Sequence, residues 1–231
     1  MRPLRRTCLA LLGLGLAGLH GAGAAYAAEP QAGRDYVELR TPQPAPPGAK
    51  VEVIEFFAYY CPHCYAFEPA LEAWVAKQGD NIVFRRVHID RGPAVLPQER
   101  LFATLDAMGL LGRYHAKVFE AMQVGRQRLA SDEEVFDWAA RSGIDRARFV
   151  DAYRSFGVNA KLQRVVPMMD AYGVDRWPLV VIDGRYATSP SHVTAGLPDG
   201  SSEADWHGAA LGVMDVLVER ARAARTAKAR Q

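Results

Sequence analysis

The stretch Val51–Ala73, VEVIEFFAYYCPHCYAFEPALEA, decides the reading of the whole chain. Val51, Val53, Ile54, Phe56 and Phe57 form a short β-branched and aromatic run, the composition of a buried central strand. Glu55 interrupts it with a carboxylate. After Tyr59 and Tyr60 comes Cys61-Pro62-His63-Cys64, and then Tyr65, Phe67, Leu71, Trp74 and Val75 recur at roughly helical spacing. The strand therefore runs straight into a helix, with Cys61 at or just before its first turn. Pro62 suits the first helical position, where its missing N–H costs nothing. The unpaired N–H groups and positive dipole end of that helix fall at the Cys61 sulfur and favour thiolate over thiol. Cys64 lies one turn on, close enough to attack a mixed disulfide at Cys61. His63 can add a cationic or hydrogen-bonding neighbour. A stabilised thiolate is a stabilised reduced form, so the pair reads as an oxidising disulfide.

Working outward, the N-terminus reads as a secretory signal peptide. Arg2, Arg5 and Arg6 precede an apolar run from Cys8 to Leu19, and Ala25-Tyr26-Ala27 is a small-x-small cleavage pattern, placing the cut near Ala27. A membrane anchor is the alternative, but the apolar run is shorter than the roughly 20 residues a span needs. Loss of residues 1–27 lowers Lys plus Arg from 28 to 25, against 26 Asp plus Glu. A near-neutral chain gives no support to a nucleic-acid-binding surface. Cys8 leaves as well, so Cys61 and Cys64 are the cysteines of an exported protein. Their close spacing closes too small a loop to be a structural staple and points to redox chemistry. A metal site is the rival use: two thiolates with His63 or His88 make three ligands, without a second pair to close the shell.

Tyr36, Val37 and Leu39 suggest a short edge strand, and Thr41–Gly48 a proline-rich extended connector. Ile82–Asp90 reads as a second strand, making one βαβ unit with parallel strands. From Arg91 to Tyr172 the pattern is helical throughout. Helices are expected around Leu101–Met108 and Tyr114–Met122, from a Ser131/Glu134 capping box, over Asp145–Phe156, and over Asn159–Tyr172 with Pro167 kinking or dividing it. Leu179–Ile182 and Arg185–Thr188 flank Asp183-Gly184 as a hairpin. A last helix spans Glu203 to about Ala223. The basic tail (Arg220, Arg222, Arg225, Lys228, Arg230) reads as a solvated, frayed end.

A βαβ unit, a helical block, a hairpin and a helix, with Glu55-Phe56-Phe57-x-x-x-Cys61-Pro62-His63-Cys64 at the junction, resembles the DsbA family of periplasmic thiol:disulfide oxidants. The resemblance runs through nearly the whole chain after Ala27. It implies an α/β, thioredoxin-like fold, a mixed sheet flanked by helices, split into residues 28–90 and 173–231 around an inserted all-α domain at 91–172. It also implies Cys61 as the exposed nucleophile, Cys64 as the buried resolving cysteine and Glu55 as a buried acid that helps move protons. Pro178 matches the cis-proline facing the cysteines, beside which substrate backbone adds as a strand. A strand carboxylate among apolar residues would have a raised pKa; the alternative is a strand-end residue reaching solvent. Trp177 departs from the family pattern, which has a small or β-branched residue before that proline, and bears on substrate preference. Arg86 is either the basic partner of Glu55 or a solvent-facing arginine. Tyr59, Tyr60 and Tyr65 are expected to rim the site with apolar surface, a core position being as good a reading of Tyr65, and His88 is expected to be structural.

The implied activity is oxidation of newly exported proteins in the periplasm by a monomer without a cofactor. A quinone-linked membrane protein of the DsbB kind would reoxidise it. Two rivals stand beside this reading: a disulfide isomerase or reductase on the same fold, and a non-catalytic chaperone or metal carrier.

Overall fold

Burial of one strand on both faces organises the molecule. The structure is a computed structural model and describes residues 29–229; the expected signal peptide and Arg230 lie outside them. All seven residues of β2 (Val51–Phe57) are buried. It is followed by α1 (Pro62–Gln78) and β3 (Ile82–His88), which lies parallel to β2 with Glu55 registered against Arg86. On its other edge β2 pairs antiparallel with β4 (Leu179–Ile182), then come β5 (Tyr186–Thr188) and β1 (Val37–Glu38). The five-stranded order is β1-β5-β4-β2-β3. This is the mixed α/β sheet that the strand–helix–strand and hairpin patterns predict.

Alternation along β2 divides the core. Val51 and Val53 pack with Phe67, Leu71 and Trp74 of α1 and with Val213, Met214 and Leu217 of α8 (Glu203–Ala229). Asp215 ties these two helices together, accepting from Trp74 Nε1 at 2.7 Å and Gln78 Nε2 at 2.6 Å. Ile54 and Phe56 join the larger cluster, where Tyr172 leans on Phe56 with ring centroids 5.6 Å apart.

The helices between β3 and β4 are α2 (Leu96–Ala107), α3 (Leu111–Gln123), α4 (Asp132–Arg141), α5 (Arg146–Tyr153), α6 (Phe156–Leu162) and α7 (Val165–Tyr172). Two boundaries differ from expectation. The helix expected to run to Phe156 ends at Tyr153, because Ser155 caps a new one: its Oγ accepts the Val158 N–H at 3.2 Å. The helix expected over Asn159–Tyr172 breaks after Leu162, and Pro167 falls in the first turn of α7, where helical N–H groups have no partner within the helix. The capping box at Ser131 is shifted: Ser131 Oγ accepts from Glu134, but Glu134 reaches back to the N–H of Ala130 rather than Ser131.

The β4–β5 turn carries positive φ at both Asp183 (56°) and Gly184 (62°), the primed geometry that suits strand twist. Gly184 is required twice over, since a Cβ there would stand 2.3 Å from the carbonyl oxygen of Gln43 in the proline-rich connector.

The C-terminus corrects the frayed-tail expectation. Helix α8 continues to Ala229. Arg220 donates to the Tyr36 hydroxyl at 2.6 Å and lies over the Tyr36 and Tyr186 rings. Arg225 donates to Asp183 Oδ1 at 2.7 Å and to the carbonyls of Pro46 and Gly48 at 2.9 Å. Their partners come from the hairpin and the connector, which no local pattern relates to the tail. Removing this clamp by Arg225→Ala leaves the buried Asp183 carboxylate unpaired, and a hydrogen bond to a charged group contributes about 1.5–3 kcal/mol. Urea unfolding is expected to show a loss of that order with an unchanged denaturant slope; an unchanged midpoint would mean the tail is only decorating the surface.

Candidate active site

Cys61 is the N-cap of α1, with extended backbone (φ −83°, ψ 115°), and Pro62 is the first helical residue. The Cys61 sulfur accepts the Cys64 N–H at 3.2 Å. A hydrogen bond from the Cys64 thiol, the backbone N–H groups of Cys64 and His63 and the charge of His63 bring the Cys61 thiol down to about 7, against burial. Cys64 is pushed far up, first by burial and then by its bond to Cys61. The two sulfurs thus share one motif but have opposite proton affinities.

The expected exposure of Cys61 needs correction: it is only 5% exposed and Cys64 not at all. The cover comes from the segment before β4. The Trp177–Pro178 peptide is cis, and the Trp177 carbonyl oxygen lies 3.9 Å from the Cys61 sulfur. Pro178 is buried, and the half-buried Trp177 ring carries the Arg91 guanidinium 5.2 Å from its centroid.

His63 is exposed and does not lean on the sulfur through its ring. Its Nδ1 bonds Glu203 Oε1 at 2.7 Å in the first turn of α8, which raises the His63 pKa and favours the cation. Glu203 went unnoticed in the sequence because an acidic residue opening a helix is ordinary dipole pairing.

Glu55 is fully buried, which removes the solvent-reaching alternative. Arg86 Nε donates to its Oε2 at 2.9 Å, and Arg86 Nη2 donates to Glu68 at 2.7 Å and Glu72 at 2.6 Å. Arg86 is therefore the partner of Glu55, not a solvent-facing residue. Burial pushes Glu55 up to about 8; Arg86 opposes this, and the neighbouring Glu68 and Glu72 add to it. Glu68 is raised to about 7, chiefly by burial. Glu68 and Glu72 carry the one available hint in the sequence, since their i, i+4 spacing puts them on one face of α1 in line with Cys64.

The aromatic rim is smaller than expected. Tyr59 is fully buried, and its hydroxyl bonds His115 Nδ1 at 2.9 Å. Tyr60 is half-buried and Tyr65 is 36% exposed. His88 is buried: its Nε2 accepts the Tyr59 N–H at 3.1 Å and its Nδ1 bonds the Ile89 carbonyl at 2.9 Å, so both ring nitrogens are used within the fold. Among the described residues no group of three or more His, Cys, Asp or Glu is arranged to hold a metal ion. Chemically, the arrangement offers a thiolate at neutral pH, a second thiol one turn away and a buried carboxyl able to exchange a proton near it.

Residues 52–197 match the DSBA-like thioredoxin domain model. The chain is 40% identical over 186 residues to a thiol:disulfide interchange protein DsbA of Burkholderia cepacia, covering 80% of this chain and 87% of that one. It is 36% identical over 193 residues to the corresponding protein of Azotobacter vinelandii, covering 84% and 85%. Among solved structures, Pseudomonas aeruginosa DsbA superimposes with a TM-score of 0.75 at 33% identity, over 85% of this chain and 96% of that one.

The lowered Cys61 pKa makes the stability of the reduced protein pH-dependent. A depressed acid stabilises the fold above its unfolded pKa, about 8.5 for a thiol, and loses that contribution as pH falls through the folded value of about 7. The stability of the reduced form relative to the oxidised form is therefore expected to rise by about 1.4 kcal/mol per pH unit between those values. Cys61→Ala should abolish the slope. Ultraviolet thiolate absorbance gives the direct check; a midpoint at the ordinary thiol value would refute the assignment.

Proposed function

The chain belongs to the DsbA family of thioredoxin-fold thiol:disulfide interchange proteins, and on that premise we propose that it is a periplasmic oxidant whose Cys61–Cys64 disulfide passes to newly exported proteins. The observation that carries this reading is the asymmetry of the two sulfurs: a thiolate-forming Cys61 at a helix N-cap and a Cys64 thiol buried against it.

A substrate thiolate attacks the Cys61 sulfur of the oxidised enzyme. The Cys61–Cys64 bond breaks, a substrate–Cys61 disulfide forms, and Cys64 leaves with the electron pair. Because burial opposes a thiolate at Cys64, it must take a proton at once. Glu55, held near 8 and therefore largely protonated at neutral pH, is the acid we assign to that transfer. A second substrate thiolate then attacks the substrate sulfur, and Cys61 leaves as the more stable thiolate. The substrate has lost two electrons and the enzyme has gained them. Pro62 sets the first turn, and the charge of His63, kept by Glu203, favours the leaving thiolate.

The segment at Trp177 and Pro178 is assigned to the substrate backbone, and the Trp177 ring narrows the approach relative to a small residue. Residues 28–90 and 173–231 form the thioredoxin-like part and 91–172 an inserted helical domain. The protein works as a monomer, exported by a signal cleaved near Ala27. A quinone-linked membrane protein of the DsbB kind takes its electrons, so no cofactor is needed on this chain.

Two measurements test the reading. Cys64→Ser, with Cys61 first carried as its mixed disulfide with glutathione, is expected to exchange glutathione for a reduced, unfolded protein bearing one cysteine and to hold it as a stable mixed disulfide, whereas Cys61→Ala traps none. Equilibration with glutathione buffers is expected to find the Cys61–Cys64 pair reduced under conditions that leave a structural disulfide intact. A couple as reducing as thioredoxin's, about −270 mV, would reverse the direction of electron flow and refute an oxidant. Glu55→Gln, which cannot give up a proton, is expected to slow release of Cys64 about a hundredfold or more, within the range for general acid–base groups, while leaving the Cys61 thiolate titration in place.

A further inference from the structure

Away from the cysteines, a cleft of about 500 Å³ opens between β3, α2 and the junction of α6 with α7. Much of its wall is hydrocarbon, from Phe84, Val87, Phe102, Leu162, Val165 and Met168. Set into this wall is Glu99, in the first turn of α2 and only 2% exposed. Neither of its carboxylate oxygens has a hydrogen-bond partner among the described residues. Buried polar groups in that condition are costly and uncommon.

The cations along the cleft are committed elsewhere except Arg164, which has no ion-pair partner among the described residues. Arg85 binds Glu52, Arg86 holds Glu55, Glu68 and Glu72, and Lys161 pairs with Asp106. Arg100, next in the chain, donates to the Tyr153 carbonyl and to Asn159. His88 also lines the cleft, but both of its ring nitrogens are already used. The proton-reactive part of the reaction described above uses none of these cleft carboxyls.

We propose that this cleft is a binding site for a small organic ammonium: a primary amine on an aliphatic or aryl body, its head on Glu99 and its hydrocarbon against Phe102, Leu162 and Met168. An ammonium brings three donors and a compact positive charge to a carboxylate that lacks both. An apolar-walled cleft with one convergent polar group is the usual form of a small-molecule site. Burial, aided by Asp90 and opposed by Arg100, holds Glu99 up to about 8. Binding an ammonium ionises Glu99 and releases its proton, so affinity rises with pH. The charged groups acting on Glu99 are Asp90 and Arg100; Arg85, Arg86, the Asp106–Lys161 pair and Arg164 also line the cleft, with His88 held neutral by burial.

The test titrates hexylamine, and hexanol as its neutral counterpart, into nitrogen-15-labelled protein while following the amides of Val87, Phe102, Leu162 and Met168. Saturable shifts at those amides are expected with hexylamine. Both hexanol on the native protein and hexylamine on Glu99→Gln should bind about tenfold more weakly, the factor for one charge-assisted bond. Hexylamine affinity should rise several-fold from about pH 7 to about pH 9, a range in which an alkylamine stays protonated. That pH series on the native protein gives the answer even if the Gln variant does not fold. Equal binding of amine and alcohol, affinity independent of pH, or no saturable shift overturns the proposal. So does amine binding that appears only in Arg164→Gln, which would show the protein's own guanidinium to be the occupant.

Discussion

A carboxylate in the middle of a fully buried strand is the constraint on which the rest depends. Leaving Glu55 ionised and unpaired there would cost several kcal/mol even after local relaxation. The parallel register of β2 and β3 answers it by setting Arg86 directly beside Glu55. The guanidinium then does more than neutralise. Its planar fork gives Nε to the strand carboxyl and Nη2 to Glu68 and Glu72 on α1. Cys64, Glu68 and Glu72 fall at successive i, i+4 positions, one stripe of the helix. Holding two members of that stripe fixes the rotation of α1 and turns Cys64 inward, while Cys61 at the cap stays at the margin. The difference in environment between the two sulfurs is a consequence of the ion-pair network as much as of the helix end.

The same network has more acid than base. One guanidinium faces three carboxyls, and Glu72 is the one that reaches water, with its side chain 55% exposed. Glu55 and Glu68 are the two raised by burial. His115 is 3.4 Å from Glu68 but is driven down to about 3 by burial and contributes no charge at neutral pH. A proton is thus retained beneath the cysteines without building up net charge in the interior. Ionising Glu55 would leave an additional negative charge beside Cys64, which itself resists ionisation. Proton and sulfur chemistry are coupled through that repulsion.

Much of this was legible because the deciding patterns are local. A β-branched run followed by Cys-Pro-His-Cys specifies strand, cap and first turn within a dozen residues, and Asp183-Gly184 specifies a hairpin in two. The failures share one physical origin, which is that partners lie far apart in sequence. Tyr59 reads as a rim residue until His115 supplies its hydroxyl with a buried partner. Arg220 and Arg225 read as a loose tail until Tyr36 and Asp183 meet them. Glu55 and Arg86 could be paired only as an option, since the register of two strands separated by a helix is not written in either strand. The helix boundary at Ser155 is a different case: apolar periodicity running through Phe156 hides a cap that the bond from the Val158 N–H to Ser155 Oγ reveals.

The surface at Cys61 combines little thiol exposure with an available backbone acceptor. The Trp177 carbonyl accepts a long bond from the Cys61 thiol, at 3.9 Å, and its second lone pair is left for an incoming main-chain N–H. Around it are the half-buried Tyr60, the Trp177 ring and the more exposed Tyr65, surfaces that attract hydrocarbon without demanding a particular side chain. Arg91 stacked on Trp177 adds a cation at one margin. In the proposed reaction, main-chain pairing would align the substrate cysteine and the rings would hold whatever flanks it. Neither contact reads sequence closely, which is what a catalyst acting on many different unfolded chains requires.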